Sequence, residues 1–329
     1  MADNTWSAAG AGNWSTDAAW SLGHKPQAGE DVIFDATSVQ NCSVDGSTEL
    51  LGSLTFAEAY TGTVSHTSGN SLKSSGTVHF SSAMTYTAGS GLVQITAAAP
   101  CTITYNGQVI GQMQFQASAH AVTLVDALTC AGIATPGTVN QNGQTISVVA
   151  AIILDSAAGS VFDGTIISAS YINCYVTVTG TFQPATKLYL QAAADVSGAT
   201  AQLAVDGLIQ AQASKTIGRI IAPVGAWEIK ATGGNVLTIG SYTATDWDGS
   251  TLTSETGGVS ADIVAPAGMV VSGMTVTDIN NGGAEIDASD GTNTNGGGNT
   301  GWNFTGGGAT GSSVARQKSS TSVGIGIGV

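Results

Sequence analysis

Short runs in which apolar and polar residues alternate recur along this chain, separated by residues that favour turns. In the first half these runs are Ser53-Leu-Thr-Phe56, Thr77-Val-His-Phe80, Met84-Thr-Tyr-Thr87, Leu92-Val-Gln-Ile-Thr96, Thr102-Ile-Thr-Tyr105, Gln112-Met-Gln-Phe115 and Val122-Thr-Leu-Val125. Successive side chains of a strand point to opposite faces, so each run buries one face and exposes the other. The pattern therefore predicts many short, half-buried strands.

The spacing of these runs indicates how the strands are arranged. From Thr77 onward they begin about seven to ten residues apart, so three runs take up roughly two dozen residues. This is the pitch of a solenoid whose coils each contain three short strands. A β-sandwich has turn signals at a similar spacing. Two-residue hairpin signals are few, at Asn106-Gly107 and Asn142-Gly143. We therefore predict an all-β, right-handed parallel β-helix, with a β-sandwich or mixed β fold as the alternative.

The pattern continues past residue 200 and then changes. The run Ile146–Leu154 is the most apolar of the chain and predicts two strands, or one long strand, buried on both faces. After Pro223 the runs are richer in aromatic and acidic residues. We divide the chain into an N-terminal cap (1–45), a β-helix body (46–223), C-terminal β coils or a subdomain (224–305), and a flexible tail (306–329).

The tail ends in a distinct segment, in which glycine alternates with β-branched residues. Its apolar residues are Val323, Ile325, Ile327 and Val329, which would share one face of a strand. Such a segment can add to the edge of a neighbouring sheet. We predict that it docks onto another subunit or onto the particle, with a disordered terminus as the alternative.

The N-terminal cap contains Trp6, Trp14 and Trp20, three tryptophans within fifteen positions of a chain that is only 6% aromatic. Each indole has a large apolar area and an N–H group that requires a partner when it is buried. This concentration predicts an ordered, packed cap and makes the three tryptophans candidate contact residues.

Composition narrows the possible functions. Charged residues make up 9% of the chain against about 25% in typical domains, while hydrophobic residues reach 42%, so the chain is expected to fold. Its net charge is −14, with only 8 lysines and arginines. Nucleic acids are therefore excluded as direct partners, because binding them requires basic side chains, and anionic membranes are disfavoured for the same electrostatic reason, so we expect no membrane partner.

Cysteine spacing and the N-terminal sequence bear on the compartment. The four cysteines, Cys42, Cys101, Cys130 and Cys174, lie far apart in β-rich runs, which predicts buried free thiols rather than a zinc site or disulfides. We expect no secretory signal at the N-terminus and no transmembrane span. Free thiols fit assembly in a reducing cytoplasm.

Candidate chemistry is sparse. Glycoside hydrolysis requires two nearby carboxylates, and the pairs Glu30/Asp31, Asp246/Asp248 and Asp287/Asp290 are the candidates. Asp246-Trp247-Asp248 combines two carboxylates with an aromatic ring that could contact a sugar, which makes it a weak glycan-binding candidate, whereas Asp248-Gly249 is also a common turn sequence. We predict no catalytic, cofactor or metal site.

Two motifs resemble a known group of proteins. The first is Gly12-Asn-Trp-Ser15 with a second tryptophan at Trp20, followed by Pro26, Gly29, an acidic pair and a β-branched run. The second is the Asn/Gly-rich segment Gly291–Phe304, which ends in Gly-Trp-Asn-Phe. Together they resemble the ends of right-handed β-helix proteins of bacteriophage particles and bacterial surfaces.

This resemblance implies a structural protein of a tailed-phage virion, assembled in the host cytoplasm. The expected role is capsid decoration, with the major capsid protein and further copies of the chain, as a homotrimer, for partners. A tail-fibre or tailspike segment that binds host glycan is the alternative, and it predicts an exposed aromatic residue beside carboxylates, first of all Trp247. A cell-surface adhesin is a third possibility.

Overall fold

The computed structural model describes residues 2–305, except 68, 117–119, 136, 151, 155–159, 185, 203–206, 223–224 and 232–233; the side chains at 153 and 231 are also not described. The predicted tail, with Val323, Ile325, Ile327 and Val329, lies outside the described residues. No helix of the described part is long and apolar enough to cross a membrane.

Strands account for nearly all regular structure, and one 3₁₀ turn spans Asp17–Ala19. In the first half the strands are β1 (Asp3–Thr5), β2 (Gly12–Asn13), β3 (Asp31–Phe34), β4 (Cys42–Ser43), β5 (Leu50–Leu51), β6 (Ser53–Phe56), β7 (Thr63–His66), β8 (Ser71–Ser74), β9 (Val78–His79), β10 (Thr85–Ala88), β11 (Leu92–Ile95), β12 (Cys101–Thr104), β13 (Val109–Phe115), β14 (Val122–Leu124), β15 (Leu128–Ala134) and β16 (Val139–Asn140). In the second half they are β17 (Ile146–Val148), β18 (Ile152–Leu154), β19 (Thr165–Ser168), β20 (Tyr171–Cys174), β21 (Thr181–Pro184), β22 (Lys187–Leu190), β23 (Val196–Gln202), β24 (Gly207–Ala211), β25 (Lys215–Ile221), β26 (Gly225–Ala231), β27 (Val236–Ser241), β28 (Ser250–Ser254), β29 (Ala261–Val264), β30 (Thr275–Thr277), β31 (Ile279–Asn281), β32 (Ile286–Asp287), β33 (Thr294–Gly297) and β34 (Trp302–Asn303).

Each strand pairs with the equivalent strand of the next coil, in parallel. Asp31 lies beside Ser53, and Leu54 lies beside Val78, so one coil takes roughly two dozen residues. The chain thus forms a right-handed parallel β-helix of about 12 turns, and the predicted fold class is confirmed. The alternative β-sandwich is wrong, because its neighbouring strands would run antiparallel.

The coils form three rows of strands in the first half; among the described residues of the second half, two rows continue and a separate pair, β32 and β34, lies near the end. The first row is β1-β3-β6-β9-β12-β14-β16, the second is β2-β4-β7-β10 and the third is β5-β8-β11-β13-β15. Strand β15 is long enough to serve two rows: Leu128–Cys130 pairs with β17, and Ile133 and Ala134 pair with β18. From there one row continues through β19 to β31 and the other through β20 to β33.

The run Ile146–Leu154 forms two strands, as expected, but it is not buried on both faces. Ile146 and Val148 point inward, whereas Val149 is 66% exposed. The prediction of burial on both faces was wrong because a β-helix has no layer covering the outside of its coils. Residues as apolar as Val149 can therefore occupy its surface.

The interior is one continuous apolar cluster that extends from Trp6 to Ala288. In four successive coils of the first row, an aromatic ring from one coil packs against the ring from the next. Phe34 and Phe56 have ring centroids 4.7 Å apart, Phe56 and Phe80 are 5.3 Å apart, and Tyr105 follows at 6.2 Å from Phe80. All four free cysteines are buried, as predicted.

The rows continue across the predicted boundary at 223. Residues 223 and 224 are outside the described part, but β24 pairs with β26 and β25 with β27. Strands on either side of this position therefore share the same hydrogen-bonded rows.

Candidate functional site

The Asp246-Trp247-Asp248 segment lies in the loop between β27 and β28, where all three side chains contact the protein itself. Asp246 is 2% exposed and accepts two hydrogen bonds from Arg219, at 2.8 Å from Nε and 2.5 Å from Nη2. The backbone N–H of Thr243 donates a third, at 2.9 Å. These hydrogen bonds to Asp246 raise the pKa of the Arg219 guanidinium. The carboxylate of Asp246 therefore joins the loop to β25.

Trp247 is fully buried. Its indole N–H donates to the carbonyl of Ile220 at 3.1 Å, and its ring meets Trp227 edge to face, with centroids 4.9 Å apart. Asp248 accepts the backbone N–H of Ser272 at 3.0 Å. The exposed aromatic residue that a glycan site would require is thus not Trp247, because no face of its ring is open to solvent.

The other two carboxylate pairs also bind neighbouring backbone and side-chain groups. Asp31 accepts a hydrogen bond from the Ser53 hydroxyl at 2.7 Å, and Glu30 accepts the backbone N–H of Gln27 at 2.9 Å.

Asp287 and Asp290 both stabilise turns. Hydrogen bonds from the hydroxyl and N–H of Ser289 lower the pKa of Asp287. Hydrogen bonds from Ser272, and then from Thr292, lower the pKa of Asp290. These residues occupy the roles that aspartate commonly has in turns.

The three cap tryptophans are buried, with exposures of 0% for Trp6, 3% for Trp14 and 2% for Trp20. Trp20 meets Trp6 and Trp14 edge to face, at 5.1 and 4.9 Å between centroids. The indole of Trp6 donates to the Gln40 carbonyl and that of Trp20 to the Trp14 carbonyl. Any contact that the cap makes with another molecule must therefore use other atoms.

Sequence reasoning did not single out an open groove of about 580 Å³ on the outer face of β11, β13 and β15. Gln112 and Gln114 line it, and Gly132 and Ala134 belong to its floor. The side chain of Gln112 lies directly over Gly132, since a Cβ there would come within 2.4 Å of Gln112 Oε1. The available signal was glutamine at the outward positions of two consecutive alternating runs.

Further along the same outer face lies a cluster of tyrosines. Tyr171 on β20 and Tyr189 on β22 meet edge to face at 5.5 Å, and Tyr175 is 41% exposed. Asn173 lies between them, donating to the Tyr175 hydroxyl at 3.4 Å and accepting from Gln191 at 2.5 Å. We call the surface formed by Gln94, Gln112, Gln114, Tyr171, Asn173, Tyr175 and Tyr189 the glutamine–tyrosine face.

No cluster of three or more histidine, cysteine or acidic side chains suited to a metal ion occurs among the described residues. No family model matches the chain, and neither the curated proteins nor the solved structures contain a match. Function must therefore be argued from the fold and from the chemistry of its surface.

Proposed function

We propose that this chain is a non-catalytic structural protein of a tailed-phage virion, and that it decorates the capsid. It would bridge neighbouring shell subunits, with the major capsid protein and further copies of itself, as a homotrimer, for partners. The observation that carries this proposal is the uninterrupted interior from Trp6 to Ala288, enclosed by parallel strands paired from coil to coil.

Such an interior makes a stiff rod suited to holding other proteins in place. Each backbone pairing joins one coil to the next, and the aromatic series from Phe34 to Tyr105 fills the interior across four coils. At about 4.8 Å per coil, 12 turns extend roughly 58 Å. A body of this length can span a junction between shell subunits.

Two further features support the proposal. The net charge of −14 opposes non-specific association of assembled particles with nucleic acid and with one another. The two resembling motifs lie at opposite ends of the rod: Trp14 packs in the cap, and Trp302 stacks on Phe304 at 6.1 Å beside the last described coil.

The test is to delete the gene from the source phage and to count copies of the chain in wild-type particles by quantitative mass spectrometry. Capsid decoration predicts hundreds of copies per wild-type particle, and shells without the chain that rupture at lower temperature. Absence from particles, or at most a few dozen copies confined to the tail, would overturn the proposal.

The sequence pattern of the C-terminal tail leads us to propose it as an element that contacts the shell. A chain lacking residues 310–329 should fold but occupy fewer shell sites, and unchanged incorporation would show that the tail is not required.

A further inference from the structure

The groove on the glutamine–tyrosine face is lined without any charged side chain. Apart from its two glutamines, its lining consists of small or apolar residues such as Ser90, Leu92, Gly132 and Ala134. In a chain of net charge −14, this is a locally neutral surface with both polar and apolar contact atoms.

The amide groups in and beside the groove are available to a ligand. Within the described part of the chain, the side chains of Gln94, Gln112 and Gln114 make no hydrogen bond, although all three are accessible to solvent. Some glutamines elsewhere are engaged: Gln108 donates to the carbonyls of Ser81 and Met84, and Gln141 donates to those of Gln144 and Thr165. An unpaired amide offers two donors and an acceptor on one planar group.

Strand pairing places these amides and the tyrosines in one line along the helix axis. Gln94 pairs with Gln114, and Gln114 pairs with Ala134. After β18, Asn173 pairs with Tyr189. Five steps between coils separate Gln94 from Tyr189, which is about 24 Å at roughly 4.8 Å per step. The face therefore suits a linear polymer rather than a compact small molecule.

The chemistry of this line matches a chain of uncharged sugars. Sugar hydroxyls donate and accept hydrogen bonds, which suits free amides, while the C–H faces of sugar rings pack on tyrosine rings and small apolar residues. A phosphate or carboxylate polymer would require cations, and the groove lining contains none. Two lysines flank the face outside the groove lining: Lys73 on β8 pairs with Gln94 at one end, and Lys187 lies at the other, with its Nζ 5.9 Å from the centre of the Tyr189 ring.

We propose that the glutamine–tyrosine face binds a linear, neutral polysaccharide that lies along the helix axis, with its hydroxyls on Gln94, Gln112 and Gln114 and its rings against Tyr171 and Tyr189. The proposal does not depend on a place in the capsid, since isolated protein can be tested. If the protein does not bind sugar, the proposed role in the virion is unaffected. If the protein is absent from particles, the proposed polysaccharide binding is unaffected.

The experiment measures binding of the purified chain to an array of neutral and acidic bacterial polysaccharides, and then the Kd for the best neutral chain by calorimetry. Gln94→Ala/Gln112→Ala/Gln114→Ala should weaken binding about tenfold or more, because it removes the amide hydrogen bonds to the sugar hydroxyls at all three positions. Tyr189→Ala should weaken it about tenfold, whereas Tyr189→Phe, which keeps the ring, should retain most of the affinity.

Gln183→Ala is the matched control. Gln183 lies on β21, in the other row of strands, where it donates to Gln202 at 2.6 Å, so its loss should leave the Kd unchanged. Circular dichroism and melting curves establish that each variant is folded. The proposal is overturned if no neutral polysaccharide binds at millimolar concentration, if acidic chains bind more tightly, if only proteins bind, or if the triple variant binds like wild type.

Discussion

Thr135 places a hydroxyl group in the apolar interior, where Oγ1 has no hydrogen-bond partner among the described residues. An unsatisfied buried hydroxyl costs about 1–3 kcal/mol of stability. Thr135→Val replaces it with a methyl group of similar size and should raise the free energy of unfolding by about 1 kcal/mol, measured in urea. The outward-facing Thr123→Val should change it by less than about 0.5 kcal/mol. A loss of stability in Thr135→Val would contradict this assignment.

His66 is a second buried polar residue, and it gives the protein a pH dependence. Its ring nitrogens contact the Tyr86 hydroxyl at 2.6 Å and the Asn70 carbonyl at 2.8 Å. Burial lowers the pKa of His66 below its usual value near 6.5, so the unfolded chain takes up a proton that the folded chain resists. Stability should therefore fall as pH drops below about 6.5, by up to about 1.4 kcal/mol per pH unit.

The measurement is a series of urea melts between pH 7.5 and 5. His66→Gln should be less stable at pH 7.5, because it disturbs both contacts, but should lose most of the slope within this range. If the variant keeps the wild-type slope, another group is responsible for the pH dependence.

Residue roles at Asp246 and Trp247 could not be predicted from sequence. A carboxylate beside an aromatic residue has the composition of a sugar-binding site. Only the hydrogen-bond partners of Asp246 and Trp247 show that these residues stabilise the fold instead. Arg219 and Ile220 lie 27 positions earlier in the chain and reach this loop because one coil returns beside the next. A contact between residues so far apart in the chain cannot be inferred from the local sequence.

At the scale of strands and corners, glycine determines how closely two coils can approach. A Cβ on Gly76 would come within 2.4 Å of the Gly52 carbonyl oxygen in the neighbouring coil, and that backbone atom cannot turn aside. Gly76→Ala should therefore cost about 1–3 kcal/mol. Gly46 has open space where its Cβ would be, so Gly46→Ala should be neutral or slightly stabilising. Melting temperatures of the two variants make the comparison, and equal values would show that the corner can widen freely.

Corners also show how far turn chemistry can be predicted. Asn106-Gly107 and Asn142-Gly143 adopt positive φ angles, and Gln108 N–H bonds to the Tyr105 carbonyl as in a tight turn. The turns expected from sequence are present, yet they join strands of different rows rather than antiparallel hairpins. Two residues specify the local bend, whereas the partner of each flanking strand is set by the neighbouring coil.

Over the whole molecule, alternation and spacing were sufficient to predict a solenoid but not to locate the glutamine–tyrosine face. Alternation tells which side chains point outward, and Gln94, Gln112 and Tyr189 all follow it. Their alignment depends on the register between coils of unequal length, such as Gln94 beside Gln114 and Asn173 beside Tyr189. Sequence spacing alone does not give that register.

Because each coil depends on its neighbours, it is possible to predict how far along the solenoid one substitution lowers stability. Trp6 closes the N-terminal end, stacking on Phe34 at 5.6 Å and donating to the Gln40 carbonyl. Loss of a buried tryptophan ring costs about 3–5 kcal/mol, but in a solenoid that cost falls on the coils in contact with it.

Trp6→Ala should therefore speed amide hydrogen exchange in β1, β3 and β6 while β20 to β28 keep wild-type protection. Val149→Ala, at a 66% exposed position, should change neither region. Uniform loss of protection along the rod in Trp6→Ala would mean that the solenoid unfolds as a single cooperative unit, contrary to coupling that decays from coil to coil.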